Sequence, residues 1–414
     1  MNLKPYPKYK DSGVEWLGEV PEGWEVRRLK RIARLEYGSS LSEEAREEGS
    51  IPVYGSNGIV GEHSKSITDK PVIIIGRKGS YGKVSYSDVP CFPIDTTYYI
   101  DSSLTKENIR WFYYLLGSMA LDEITFDTGV PGLSREFAYA KIVPVPSRNE
   151  QTTIANFLDH QTNRIDDLIK KNEKLIELLK EKRQAIISHA VTKGIPPHPP
   201  LEKGGWGDLK MRDSGIKWLG EIPEGWETFP IKQIIRNKVI KGIGKNLPLL
   251  SLEHIVSGEG RLVDEYIPEI VSADEHATFE IGNVLFGKLR PYLKKYYRVN
   301  FNGCCPTELM VFSPNNILLE KDYLFYLIQS NYFVSLADAT SYGVKMPRTS
   351  WEAISSHYIP IPKISEQHRV VEFLDDISEK IDKTIQKIQS QIAILKEYHQ
   401  TLISNVVTGK VRVN

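Results

Sequence analysis

Residues 11–25 read DSGVEWLGEVPEGWE, and residues 213–227 read DSGIKWLGEIPEGWE. Twelve of these fifteen positions are identical at an offset of 202 residues. A second repeat reads PVPSRNEQTTIANFLDHQTNRID from Pro144 and PIPKISEQHRVVEFLDDISEKID from Pro360, at an offset of 216 residues. Internal repeats on this scale indicate a duplicated structural unit. Since the segments between the repeats share little sequence, we predict a common frame that carries two different inserts.

Each second repeat opens a long amphipathic helix. Hydrophobic residues recur at alternating spacings of four and three for more than four heptads, with no internal Pro or Gly, which is typical of a coiled coil. About 40 residues at ~1.5 Å each predict a rod of roughly 60 Å. The predicted apolar seam comprises Ile154, Leu158, Ile165, Leu168, Leu175, Leu179 and Ile186 in the first helix, and Val370, Leu374, Ile377, Ile381, Ile388, Leu395 and Leu402 in the second.

A helix of this length buries its apolar stripe only against a partner. The nearest partner is the repeat in the same chain, and pairing between two chains is the alternative. Residues 193–210, KGIPPHPPLEKGGWGDLK, are rich in Pro and Gly and predict a linker. Because the first helix carries the chain away from the first insert, an antiparallel pair with one insert at each end is favoured.

Strand-like runs alternate with helical stretches inside each insert. We predict an α+β or mixed α/β fold, with two globular domains separated by two long antiparallel coiled-coil helices and related by a pseudo-twofold internal repeat. The predicted division is 1–145 for the first domain with its lead-in, 146–192 for the first helix, 193–212 for the linker, 213–361 for the second domain with its lead-in, 362–408 for the second helix and 409–414 for the tail.

Composition excludes several classes of protein. The 53 basic and 53 acidic residues give zero formal net charge, so any anion-binding surface must be local. Cys91, Cys304 and Cys305 have neither disulfide nor metal-ligand spacing and are predicted to be small buried residues. With no signal peptide or membrane-length apolar run, we expect a soluble, cytoplasmic protein. Phosphate-loop, dinucleotide, zinc and nucleophile-elbow patterns are absent, which predicts a chain without catalytic activity or metal.

Basic residues mixed with aromatic residues and glycine occur in both inserts. GRKGSYGK (76–83) and GKLRPYLKKYYR (287–298) contain no acidic residue, and Gly/Pro loops with an Arg follow at 129–135 and 343–348. Such segments suit DNA, because Arg and Lys reach phosphate oxygens and base edges. An ordinary solvated surface is the alternative. The candidate DNA contacts are Arg77, Lys78, Ser80, Tyr81, Lys83, Arg135, Lys288, Arg290, Tyr292, Lys294, Lys295, Lys345 and Arg348.

The tryptophans of the repeated lead-in also suggest base stacking at first sight. Because both copies share them, we instead predict that they pack the lead-in against its helix. These residues are Trp16, Trp24, Trp218 and Trp226.

The lead-in DSGVEWLGEVPEGWE, the Pro-x-Pro…Glu-Gln…Phe-Leu-Asp start of each helix and the closing Val-Thr together resemble the specificity subunit of type I restriction-modification systems. IIIGRKGSYGKV (73–84) and VLFGKLRPYLKK (284–295) are similar to the same family. The likeness covers essentially the whole chain. The linker departs from the family pattern, since PPHPPLEKGGWGD is longer and richer in Pro and Gly than the family needs.

The resemblance implies two target-recognition domains, each reading one half of an asymmetric, bipartite site in double-stranded DNA. It implies that the coiled coil sets the spacer and docks two modification subunits, which hold S-adenosylmethionine and methylate adenine. Restriction subunits, which use ATP and Mg, are a further partner that the sequence leaves open. The chain itself would bind no cofactor and contact no membrane. The alternative is a coiled-coil scaffold or adaptor of another DNA-modification or defence complex, and a self-contained nuclease or methyltransferase is a third hypothesis.

Overall fold

A computed structural model describes residues 4–122, 132–195, 209–217 and 219–413. The chain divides into two compact units. Unit 1 comprises Met1–Glu173 with Gln389–Asn414, and unit 2 comprises Lys174–Ile388. Each unit contains one insert and part of both long helices.

The two copies of the repeat have a similar order of elements, and the described part of the second copy contains one more strand and two more helices. The first copy contains β1 (Tyr9–Asp11), β2 (Glu19–Pro21), β3 (Glu25–Arg28), β4 (Glu36–Tyr37), β5 (Ile51–Gly55), β6 (Gly58–His63), β7 (Val72–Gly76), β8 (Val84–Ser87), β9 (Phe92–Pro93), β10 (Thr97–Asp101), α1 (Ile109–Gly117), α2 (Arg135–Ala140), β11 (Ile142–Val145) and α3 (Arg148–Lys193).

The second copy contains β12 (Met211–Asp213), β13 (Glu221–Pro223), β14 (Glu227–Pro230), α4 (Ile231–Ile234), β15 (Ile235–Asn237), β16 (Asn246–Leu249), β17 (Glu269–Ser272), β18 (Ala277–Phe279), β19 (Val284–Gly287), β20 (Tyr296–Arg298), β21 (Gly303–Cys305), β22 (Leu309–Pro314), α5 (Lys321–Gln329), α6 (Asn331–Ala339), α7 (Trp351–Ser355), β23 (Tyr358–Ile361) and α8 (Ile364–Val407). Both copies therefore combine small sheets with short helices and one long helix.

The two inserts share the strand order of their main sheet, although their sequences hardly align and the second sheet has three strands in one copy and four in the other. The main sheet has the order β4-β10-β7-β8 in the first copy and β15-β22-β19-β20 in the second. A second sheet, β6-β5-β9 or β17-β16-β21-β18, lies beside it and contains one parallel pair in each copy. The inserts therefore share a main-sheet topology while their sequences differ. A strand needs only the right pattern of apolar residues, and many sequences supply it.

The buried strands and helices of each insert form its core. All five residues of β7 and all four of β19 are buried. Trp111, Phe112 and Leu115 of α1 pack with β7 in the unit 1 core. Each fully buried side chain of this size contributes about 1.5–3 kcal/mol to the free energy of unfolding.

The repeated tryptophans anchor each lead-in to the start of a long helix. Trp24 is 2% exposed and donates its indole N–H to Glu150 Oε2 at 3.0 Å. Trp226 is 1% exposed and donates to Glu366 Oε1 at 3.1 Å. The packing prediction is confirmed for these two residues. Trp16 is 46% exposed, so the packing prediction does not hold for it. Trp218 lies outside the described residues.

The Glu-Gln pair of the second repeat joins each long helix to its insert. The Gln151 amide donates to the Pro146 carbonyl at 3.0 Å and accepts from the Asn108 N–H at 2.8 Å. In unit 2, the Gln367 amide donates to the Pro362 carbonyl at 2.9 Å and accepts from the Glu320 N–H at 2.8 Å. Both glutamines are fully buried, so these bonds satisfy polar groups that would otherwise be costly to bury.

The long helices pair within the chain and run antiparallel in each unit. In unit 1, the first half of α3 packs against the last turns of α8, and Asp166 lies 3.7 Å from His399. In unit 2, the last turns of α3 pack against the first turns of α8, and Arg183 forms an ion pair with Asp382 at 2.6 Å. Intramolecular pairing, rather than pairing between two chains, is the arrangement in this structure.

The seam of α3 differs from the predicted one at two positions. Leu168 and Leu175 are 48% and 43% exposed, while Ile169 and Ile176 are the partly buried residues. A fixed alternation of four and three assumes 3.5 residues per turn, and one extra step of four shifts the buried stripe by a residue. The remaining predicted seam residues are buried or half-buried: Ile154, Leu158, Ile165, Leu179, Ile186, Val370, Leu374, Ile377, Ile381, Ile388, Leu395 and Leu402.

All three cysteines are buried and free, as predicted. Burial raises the pKa of the Cys91 thiol to about 11 and that of Cys305 to about 12. Among the described residues, no group of three or more His, Cys, Asp or Glu side chains is arranged to hold a metal ion. Within the same residues, no helix combines the length and the apolar character needed to span a membrane.

Candidate nucleic-acid interface

In unit 1, the candidate interface is the loop 77–83 between β7 and β8. Gly79 and Gly82 adopt φ values of 74° and 77°, in the left-handed region that favours glycine. The Gly76 N–H donates to the Lys83 carbonyl at 2.8 Å, and the Gly82 N–H donates to the Gly76 carbonyl at 2.9 Å. These bonds close the loop tightly, so that Ser80 is exposed while Tyr81 is half-buried against the unit 1 core.

Two arginines of unit 1 converge on one tyrosine beside this loop. The guanidinium carbons of Arg77 and Arg135 lie 5.2 and 4.9 Å from the centroid of the Tyr37 ring, within the range of a cation–π interaction. The Arg77 side chain also donates to the Asp95 carbonyl at 2.8 Å. Tyr37 is 40% exposed, so the cluster is open to solvent.

Backbone contacts bring Arg135 to the 77–83 loop. Lys78 forms a β-bridge with Gly132, and the Leu133 N–H donates to the Arg77 carbonyl at 2.9 Å. The predicted Gly/Pro loop at 129–132 is described only at Gly132, because residues 129–131 lie outside the described residues. Within the loop 77–83, Lys78 is exposed.

In unit 2, the equivalent loop is 288–295, between β19 and β20. It contains a 3-10 turn, Pro291–Leu293, flanked by Arg290 at φ 47° and Lys294 at φ 53°. Among the described residues, these are the only ones other than glycine with positive φ. Left-handed backbone at such residues costs on the order of 1–3 kcal/mol and persists where the surrounding structure imposes it, often at ligand sites.

A second loop of unit 2, 342–348, is attached to the first. The Arg290 N–H donates to the Pro347 carbonyl at 2.7 Å, and its guanidinium donates to the Lys345 carbonyl at 3.3 Å. Leu289 and Arg348 form a β-bridge. Lys345 and Arg348 are exposed, so two cations are presented beside the 288–295 loop.

A family model described as the type I restriction modification DNA specificity domain matches this chain over residues 21–178 and 223–393. The chain belongs to the family of type I restriction-modification specificity subunits. It is 22% identical to the specificity subunit of the type I restriction enzyme EcoDI from Escherichia coli, over 95% of this chain and 90% of the relative. It is 24% identical to the MjaIX specificity subunit of Methanocaldococcus jannaschii, over 98% and 97% of the two chains.

Two solved structures share the fold of this specificity subunit. One, described as the structural basis of complex assembly and conformational transition of the type I R-M system, aligns with a TM-score of 0.68 at 14% identity, over 95% of this chain and 99% of that chain. The other is the HsdS subunit from Thermoanaerobacter tengcongensis, with a TM-score of 0.51 at 15% identity, over 95% and 98%. Specificity subunits of this family are non-catalytic.

Three lysines among the predicted DNA contacts have hydrogen-bond partners within the chain. The Lys83 ammonium donates to the Asn57 carbonyl at 2.9 Å and to its Oδ1 at 2.8 Å. The Lys295 ammonium donates to the Ile255 carbonyl. Lys294 donates to Asn331 Oδ1 at 2.9 Å, and burial lowers the pKa of this lysine. These three lysines hold the loops in place in this structure, which the charge pattern alone did not indicate.

Lys83 and Lys295 occupy equivalent positions of the specificity subunit. Each is the last residue before a strand, and each carbonyl accepts the N–H of the glycine that ends the preceding strand, Gly76 or Gly287, at 2.8 Å. Each ammonium then reaches the loop that follows the first strand of the neighbouring sheet. The two copies therefore use a lysine at one position to attach the β7–β8 or β19–β20 loop to a second loop.

Sequence reasoning missed several exposed or aromatic residues at these loops. Asn57 lies in the Asn-Gly turn between β5 and β6, and that dipeptide is a strong hairpin signal. Tyr37 lies far from the basic segments along the chain, so nothing in the sequence connects it with Arg77. The residues missed are Tyr37, Asn57, Tyr342, Val344 and Met346.

Proposed function

We propose that each insert of this specificity subunit reads one half of an asymmetric, bipartite DNA site. The observation that carries the proposal is that both copies place an equivalent loop, 77–83 or 288–295, at the same junction of the same sheet. The residues of the two loops differ. A duplicated frame with unlike contact residues suits two unlike half-sites, as a symmetric dimer suits a palindrome.

We assign seven exposed or partly buried cations on and beside the two loops to DNA contacts. In unit 1 these are Arg77, Lys78 and Arg135, with Ser80 beside them; in unit 2 they are Lys288, Arg290, Lys345 and Arg348, with Tyr292 beside them. Contacts to phosphate position the protein, and contacts to base edges give sequence specificity. Lys83, Lys294 and Lys295 support the loops, and Tyr81 contributes through its half-buried ring.

The long helices have a separate role in this proposal. With α3 and α8 spanning 46 and 44 residues, each is about 65–70 Å long at ~1.5 Å per residue. Their length sets the spacer between the half-sites, and their exposed faces dock two modification subunits. Those subunits hold S-adenosylmethionine and flip out the adenine that they methylate, since the base is inaccessible within the duplex. Restriction subunits that use ATP and Mg would join the same complex.

A methylation map tests the proposal directly. The chain is co-expressed with the modification subunit encoded beside it, in a host that lacks adenine methylation, and the DNA is sequenced for modified adenine. We expect one bipartite motif with a fixed gap, which disappears when the chain is omitted. Modified adenine without a motif, or none while the complex still assembles, would contradict the proposal and favour a coiled-coil scaffold or adaptor.

A further inference from the structure

Two neighbouring loops of unit 2 carry exposed apolar side chains. On the loop 342–348, Val344 is 101% exposed and Met346 is 51% exposed. On the loop 288–295, Tyr292 is 50% exposed and Leu293 is 38% exposed. A single exposed apolar residue is ordinary, but four on two attached loops indicate a contact surface. We name these four residues the apolar tips.

The loops that carry the apolar tips are held in a fixed conformation. Arg290 attaches one loop to the other through its N–H and its guanidinium, which donate to the carbonyls of Pro347 and Lys345. At the base of the second loop, Tyr342 and Arg348 exchange two backbone hydrogen bonds of 2.9 Å each. A rigid apolar surface loses little conformational entropy when it binds a partner.

The charge around the apolar tips indicates what they contact. Neither 287–298 nor 342–348 contains Asp or Glu. Lys345 lies between Val344 and Met346 in sequence, and Arg348 follows two residues later. An apolar surface flanked by cations matches duplex DNA, whose major groove presents thymine methyl groups and base edges between two lines of phosphates.

We propose that the apolar tips contact bases of the DNA half-site that unit 2 reads, and so contribute to its sequence discrimination. This proposal rests on the DNA recognition proposed above. Lys345 and Arg348 contact the flanking phosphates. Because an apolar contact with a base releases no counterion, it contributes to specificity without adding to the salt dependence of binding.

The test uses the full chain in complex with its modification subunit, once the methylation map has given the motif. Three labelled duplexes are compared by fluorescence anisotropy: one with the intact motif and two with either half scrambled. In V344S/M346S we expect the preference for the intact motif over one scrambled duplex to fall at least tenfold. Affinity for the duplex whose unit 2 half is scrambled should stay within threefold of wild type, with the same salt dependence, whereas the duplex that keeps this half should lose affinity together with the intact motif.

Two control variants separate the apolar tips from charge and from exposure in general. K345A/R348A should weaken binding to all three duplexes. It should also reduce the slope of log affinity against log salt concentration by about two, because each of the two removed cations no longer neutralises its phosphate. I317S removes another exposed aliphatic side chain of unit 2, which is 83% exposed, and should change neither affinity nor preference. The apolar tips lie on the surface, so all variants should fold.

The possible outcomes are distinguishable. A preference within threefold of wild type in V344S/M346S overturns the proposal, and so does an unchanged preference with loss of the modification subunit, because the tips would then bind protein. If the double variant melts more than 5 °C below wild type, V344T and M346Q are measured in the same way, since each keeps the side-chain size. A wild-type complex without any sequence preference contradicts the proposed function itself.

Discussion

The Lys83 ammonium lies 2.8 Å from Asn57 Oδ1 and 2.9 Å from the Asn57 carbonyl. This contact attaches the β7–β8 loop to the β5–β6 turn, and Lys295 makes the equivalent contact with the Ile255 carbonyl in unit 2. Both lysines belong to strongly basic segments, where charge alone suggests DNA. Their hydrogen bonds indicate that part of the positive charge supports the loops that carry the other contacts.

Replacing Lys83 by Met should therefore impair recognition of one half-site by loosening the loop. We expect methylation at degenerate sequences in that half of the motif, with the other half and the gap unchanged. Lys295→Met should have the same effect on the other half. Lys78→Met is the control, because Lys78 is a cation of the same loop that does not hydrogen-bond to Asn57; it should lower affinity without degeneracy. If Lys83→Met and Lys295→Met both methylate the wild-type motif without degeneracy, the supporting role of these lysines is contradicted.

Replacing Trp24 by Phe should destabilise unit 1, because Glu150 loses a buried hydrogen bond to its carboxylate. Hydrogen bonds to charged groups contribute about 1.5–3 kcal/mol, and Tyr6 still donates to the same carboxylate at 2.8 Å. We expect a lower unfolding midpoint in urea. The control is Trp16→Phe, since Trp16 is 46% exposed and should change stability little. Equal effects of both substitutions would argue against the anchoring role of Trp24.

The seam of α3 can be tested with alanine. Ile165 is 5% exposed and Leu168 is 48% exposed. Ile165→Ala should cost about 2–5 kcal/mol by creating a cavity, whereas Leu168→Ala should cost within about 0.5 kcal/mol. Chemical denaturation of the full chain measures both. If Leu168→Ala lowers the free energy of unfolding as much as Ile165→Ala does, the strict alternation of four and three predicted from the sequence is correct.

A Pro at position 165 extends this test to function. It removes a helical hydrogen bond and clashes with the preceding turn, so α3 should break. We expect methylation to be lost, with any residual modification at the wild-type half-sites. Unchanged methylation at the wild-type gap would contradict the role of the helices in setting the spacer.

Charge reversal should affect the two half-sites independently. Lys345→Glu with Arg348→Glu should weaken binding to one half of the motif, because the glutamates repel the phosphates there. Lys78→Glu should weaken binding to the other half. Anisotropy with short duplexes, each long enough to hold one half-site but too short to reach the other unit, measures both. Equal loss at both halves in either variant would contradict the assignment of one half to each unit.

The cysteines should be unreactive in the folded protein. Burial raises the pKa of Cys91 to about 11 and that of Cys305 to about 12, and the thiolate is the reactive form. An aromatic disulfide reagent at pH 8 should label none of the three thiols within minutes, and all three after unfolding in guanidinium. Rapid labelling of the native chain would show that at least one thiol is accessible.

The frame was largely predictable because it is repeated. The helices predicted at 146–192 and 362–408 span Arg148–Lys193 and Ile364–Val407, and the shared Trp24 and Trp226 anchor the lead-ins. The seam was less predictable, since a one-residue shift exposed Leu168 and left Ile169 partly buried. The shared topology of the inserts was also not predictable, because their sequences hardly align. The contact of Arg77 with Tyr37 joins residues 40 positions apart.

The sequence by itself determined the duplication, the two long helices, the neutral net charge and the segments that carry local positive charge. These properties are written in residue identity and spacing, which act over a few turns of chain. Only the tertiary structure decided which lysines form hydrogen bonds within the chain, as Lys83 and Lys295 do. The reason is physical: the partners of a lysine are set by loops that meet in space, and their distance along the chain carries no record of that meeting.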